Sequence, residues 1–108
     1  MKMIQIGNTL ILNGDQQTDF QGLDLSELCP LTCGLSLRAT VTASSIDDDG
    51  FTYCLQRGIL TLDRQELPPQ EFNVRWSRKP KDIYPYLALV TLLLLCGVST
   101  EVFACLKF

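Results

Sequence analysis

The segment from Ile83 to Leu106, IYPYLALVTLLLLCGVSTEVFACL, carries one formal charge, Glu101, in 24 residues, and no other stretch narrows so far what the chain can become. Its first 18 residues, Ile83 to Thr100, are uncharged. As one continuous helix they would reach roughly 27 Å, and the whole segment roughly 36 Å, against a bilayer hydrocarbon core about 30 Å thick. Between Leu87 and Cys96 the one polar side chain is Thr91, so a helix here has no solvent-facing stripe. A short chain has little core in which to bury such a helix on all sides. The hydropathy therefore predicts a single transmembrane helix over 83–106, with burial in an oligomer or β-structure as the alternatives.

The flanks point the same way. Arg78, Lys79 and Lys81 precede the run as a basic collar, which under the positive-inside tendency puts the N-terminal part on the cytoplasmic side. Tyr84 and Tyr86, with Trp76 further back, stand where an interfacial aromatic belt belongs. Asp82 can cap the helix start, and Pro85 falls in the first turn, where its missing N–H costs nothing. Leu87, Leu92, Leu93, Leu94 and Leu95 would then form the lipid-facing middle of a tail anchor. Glu101 fits least well: it reads as a carboxylate at the far interface or as a polar contact to a neighbouring helix.

The remainder reads as β-structure. FTYCL alternates Phe51, Tyr53 and Leu55 with polar positions, and EFNVRW does the same with Phe72, Val74 and Trp76. LSLRATVTAS alternates from Leu35 to Ala43, and IDDDG follows it as an acidic hairpin turn. MIQI and TLIL flank Gly7 and Asn8 as a hairpin. Gly58 interrupts the pattern before ILTLD, and the paired prolines of ELPPQ mark a connection. The stretch from Gly14 to Gly34 has the weakest pattern and reads as a long connection with one helical turn at Asp24–Leu28. The expected fold is mainly β: a small antiparallel sandwich or open barrel of five to six strands over residues 1–77, then a linker at 78–82, the transmembrane helix at 83–106 and a tail at 107–108.

Charge bounds the partners. Residues 1–74 hold ten acids and four bases, while 75–82 hold four bases and one acid. An acidic body argues against nucleic acid, whose phosphates need a surface of clustered Lys and Arg. No secretory signal is apparent in MKMIQIGNTLILNGD, so free thiols in a reducing compartment are expected.

Little in the chain announces a chemistry. With no histidine, Cys29, Cys33 and Cys54 lack a fourth zinc ligand, and a Ser or Cys nucleophile lacks its usual base. Asp47, Asp48 and Asp49 resemble the start of a calcium loop, but the twelfth position is Gly58 rather than glutamate. There is no phosphate-binding glycine loop. No catalytic residue, metal, cofactor or small-molecule substrate is expected. The sequence reading is a non-enzymatic, membrane-anchored adaptor whose partners are a lipid bilayer and the protein subunits of a larger assembly. That assembly could be a virion, with the protein joining a shell to an internal membrane, or a cellular membrane complex that it serves as an accessory subunit. A small soluble or peripheral effector that binds a partner through a sheet edge is the alternative.

Overall fold

The computed structural model describes residues 3–6, 9–13, 29–36 and 38–108. Among them eight strands precede two helices: β1 (Met3–Ile6), β2 (Thr9–Asn13), β3 (Cys29–Cys33), β4 (Val41–Ser44), β5 (Gly50–Leu55), β6 (Ile59–Leu60), β7 (Glu66–Leu67), β8 (Gln70–Arg75), α1 (Tyr84–Leu95) and α2 (Thr100–Cys105). Six strands form one open sheet in the order β1-β2-β3-β4-β5-β8, and β6 pairs with β7 apart from it. The mainly β expectation holds. The sheet ends at β1 and β8 rather than closing into a barrel, and it is mixed rather than antiparallel, since β3 runs parallel to both neighbours.

Strand β3 falls in the stretch from Gly14 to Gly34 whose weak pattern reads as a connection. It holds Pro30 opposite Leu10 of β2, and β4 pairs with it only at Cys33↔Val41, so the ladder on that side does not extend to the proline. The alternation from Leu35 to Ala43 forms a strand only from Val41. Ahead of it, Gly34 N–H donates to Val41 O, and Thr40 N–H donates to Thr32 Oγ1. These bonds divert the chain into a loop, and Leu35 is left exposed. The helical turn expected at Asp24–Leu28 lies outside the described residues.

The period-2 pattern sends Val41, Phe51, Tyr53, Leu55, Val74 and Trp76 to one face, and the registers Val41↔Leu55, Tyr53↔Phe72 and Phe51↔Val74 align them in rows. That face is covered from within the same chain. Leu87, Ala88, Val90, Thr91, Leu94 and Leu95 of α1 are buried on it, and Phe103 of α2 stacks on Phe72 at 5.1 Å. Each large apolar side chain sealed there contributes about 1.5–3 kcal/mol.

A membrane-spanning helix over 83–106 is overturned. No helix among the described residues is long and apolar enough to cross a membrane. The 12 residues of α1 rise about 18 Å, well short of a bilayer core of about 30 Å. The break has a local cause. Gly97 takes φ +89°, Gly97 N–H donates to Leu94 O and Val98 N–H to Leu93 O, the paired bonds of a Schellman stop. Ser99 then caps α2 by accepting from Glu101 N–H. With the crossing goes the assignment of a tail anchor and of a single-pass protein with its body on the cytoplasmic side.

Candidate interaction surfaces

Three features could carry function: a polar cluster beneath α1, the outer surface of the helices, and a cleft beside β6–β7. In the cluster Thr91 Oγ1 donates to Leu87 O at 2.7 Å, so the Tyr53 hydroxyl, also at 2.7 Å, donates to Thr91. Cys33 Sγ lies 3.9 Å from the same oxygen. All three residues are buried. Burial pushes the Cys33 thiol from the ordinary 9.0 up to about 11, with the Thr91 bond opposing it only in part. Burial raises Tyr53 as well. A protonated thiol sealed from solvent is a poor nucleophile, and the hydrogen bonds of the cluster tie α1 to the sheet.

The outer surface of the helices follows from the composition of α1. With no polar stripe, α1 turns one apolar side to the sheet and the other outward. Pro85, Leu89 and Cys96 are exposed, and Tyr86, Leu92 and Leu93 are half-buried. Val102, Cys105 and Leu106 are exposed on and just beyond α2. The residues expected in lipid therefore divide: Leu87, Leu94 and Leu95 belong to the core, while Leu92 and Leu93 lie at its margin.

Trp76 is no interfacial belt residue. It is buried, and its indole N–H donates to Asp47 O at 3.0 Å and Asp48 O at 3.1 Å. Tyr86 packs edge-on to Trp76 at 5.5 Å and to Phe108 at 6.3 Å, and Tyr84 is half-buried. Asp82 does not cap α1: the N-cap is Ile83, without a side-chain bond, and Asp82 one residue earlier accepts from Tyr84 N–H, while Pro85 lies in the first turn. Arg78, Lys79 and Lys81 are exposed between β8 and α1. Glu101 is exposed at the start of α2.

The cleft, of about 1160 Å³, is lined by Leu31, Ile59, Leu60, Leu62, Leu67 and Leu95, with Arg64 and Glu66 also contributing. The β6–β7 hairpin forms its wall and is pinned at the turn, where Thr61 N–H donates to Gln65 O and Gln65 N–H donates to Thr61 Oγ1. Leu62 N–H donates to Leu95 O, one of the terminal carbonyls of α1 that lack an intrahelical partner. The hairpin is thus fastened to the helix end. Leu60 is 52% exposed and Leu62 42% exposed.

Since Thr61 and Gln65 form a hydrogen-bonded pair, the alternation of an antiparallel ladder makes Ile59–Leu67 the next one. The N–H and C=O of Leu60 and Glu66 therefore point away from each other, and among the described residues no further strand of the small sheet receives them. Sequence reasoning missed this cleft because ILTLD resembles an ordinary strand. The paired leucines flanking Thr61 were the available signal.

The thiols of Cys33 and Cys54 are free and buried, and those of Cys96 and Cys105 are free and exposed. The Cys29 side chain lies outside what is described. Asp47 closes the acidic turn, its Oδ1 accepting from Asp49 N–H and Gly50 N–H. Among the described residues no group of His, Cys, Asp or Glu is arranged to hold a metal.

Comparison with known protein families, with curated proteins and with solved structures gives no match.

Proposed function

We propose that the protein is a non-enzymatic binding subunit that takes an extended apolar segment of a partner protein onto the edge of the β6–β7 hairpin. The observation that carries this reading is the coincidence, in one cleft, of outward-pointing main-chain groups at Leu60 and Glu66 with the exposed side chains of Leu60 and Leu62. Strand addition uses those two elements together: main-chain hydrogen bonds supply affinity, and alternate side chains entering apolar ground supply specificity. The volume exceeds the roughly 300–1,000 Å³ usual for small-molecule pockets, which suits several successive side chains.

The larger sheet is a poorer acceptor at its β8 end. Phe108 N–H donates to Arg75 O and Ser77 N–H to Phe108 O, so the C-terminal residues already lie along that edge, and α2 packs against the same strand.

The test is selection of a phage-displayed random peptide library on the immobilised full chain. Enriched peptides should alternate apolar and polar residues, shift the amide resonances of residues 59–67, and lose binding to Leu60→Asp. An unenriched library, or peptides that bind Leu60→Asp undiminished, would refute the reading.

A further inference from the structure

Resting on the strand-addition reading, we infer that the partner segment enters as a strand between β6 and β3, bringing an acidic side chain to Arg64. β5 and β8 pair from Gly50↔Arg75 to Leu55↔Gln70, and β6–β7 resumes at Ile59↔Leu67, so the small hairpin prolongs the same ribbon. The chain leading into β4 follows that ribbon as far as Gln56, whose N–H donates to Thr40 O. Beyond it, among the described residues, no strand but β7 pairs with β6. Pro30 and Leu31 of β3 line the cleft together with Gly58, Ile59 and Leu60, so β3 and β6 border one slot.

Both borders present main-chain groups to it. Along β6, Leu60 and the exposed Gly58 two residues back make no hydrogen bond on this side among the described residues. Along β7 the position two residues past Glu66 is Pro68, which has no N–H, so β6 is the better edge. On β3, Gly34 N–H donates to Val41 O and Thr32 N–H to Thr40 Oγ1, so residues 32 and 34 turn their main-chain groups toward β4. Alternation turns Pro30 O the same way, and β4 pairs with β3 only at Cys33↔Val41, short of it. Pro30 thus offers an incoming strand an acceptor.

Leu31 and Leu95 make the slot apolar, and Arg64 is the one base on its lining among the described residues. Arg64 is exposed and makes no ion pair among them, although Asp63 precedes it and Glu66 also lines the cleft. A segment laid over the guanidinium strips its water, a loss that a carboxylate on the segment offsets. A second copy fits less well, because its β6 arrives with β7 attached and a hairpin is two strands wide.

The experiment measures, by calorimetry, the affinity of the library-selected peptides for the full chain. Exchanging the peptide's Asp or Glu for Asn or Gln should weaken binding about tenfold, as should Arg64→Asn, and the two together should cost little more than either. Asparagine suits the φ of +62° at this position, so the thermal melt of Arg64→Asn should not fall. N-methylation walked along the peptide should weaken binding at amides of both alternations, since one set faces β6 and the other Pro30 O. Selected peptides without an acid, or an Arg64→Asn protein that binds undiminished, overturn the inference. Sensitivity at one alternation only overturns it too, while leaving addition to a single edge standing. So does a dimer of the free protein, seen by sedimentation velocity and abolished by Leu60→Asp, which would assign the slot to a second copy. An unenriched library refutes both readings.

Discussion

Replacing Thr91 by valine removes one oxygen and keeps the shape of the side chain, so it isolates the polar contact that joins α1 to the sheet. Thr91 and Tyr53 are fully buried, and the Tyr53 hydroxyl donates to Thr91 Oγ1 at 2.7 Å. In Thr91→Val that hydroxyl keeps its desolvation cost and loses its acceptor, which amounts to about 1–3 kcal/mol. The Leu87 carbonyl loses only a supplementary bond, since it still receives the helical N–H of residue 91. A loss near 2 kcal/mol lowers the melting temperature of a domain of this size by roughly 10 °C.

Tyr53→Phe costs less, about 1 kcal/mol, because Thr91 continues to donate to Leu87 O. Adding Thr91→Val to Tyr53→Phe should then cost little more, leaving a coupling of about 1 kcal/mol or above. Urea denaturation followed by the emission of Trp76, the chain's single tryptophan, measures all three variants. A Thr91→Val loss below about 0.5 kcal/mol, or strictly additive single and double variants, would refute this account of how α1 is seated.

Other outcomes follow from the same geometry. Cys33 is neutral in the fold to about pH 11 but ionises at 9.0 when exposed, so its share of stability is intact below pH 9 and declines between pH 9 and about 11. Cys33→Ala should flatten the stability profile in that range, as read by urea midpoints. Alkylation of the native protein at neutral pH should label Cys96 and Cys105 and spare Cys33 and Cys54 until denaturant is added, as peptide mass mapping would show. Gly97→Ala should cost about 1 kcal/mol through its φ of +89° alone, since a Cβ there meets nothing within 4 Å, and calorimetry should record a lower melting temperature.

Much of the β-body was legible. The alternation at Phe51–Leu55 and Phe72–Trp76 places the residues that the core contains, because a half-buried strand writes its buried face into every second position. The pairing of MIQI with TLIL, expected from Gly7 and Asn8 between them, is present as an antiparallel pair, although Leu10, Ile11 and Leu12 are all buried rather than alternating. Strand β3 was not legible, because its stretch lacks the two-residue alternation of the other strands and holds Pro30, which argues against a strand. The cleft proposed for binding was not legible, because it depends on where the β6–β7 hairpin meets the end of α1.

The C-terminal segment shows where sequence alone stops. Hydropathy determined that much of residues 83–106 seeks burial, and it determined nothing about what would bury it. A bilayer and the apolar face of a sheet offer a leucine the same relief, and a run of leucines carries no mark to tell them apart. Even the helix stop at Gly97 and the cap at Ser99 lay within the uncharged run, where length weighed more than local signals. The tertiary structure decided the matter by supplying a sheet face of Val41, Phe51, Tyr53 and Val74 large enough to take one side of α1, and by leaving the other side exposed.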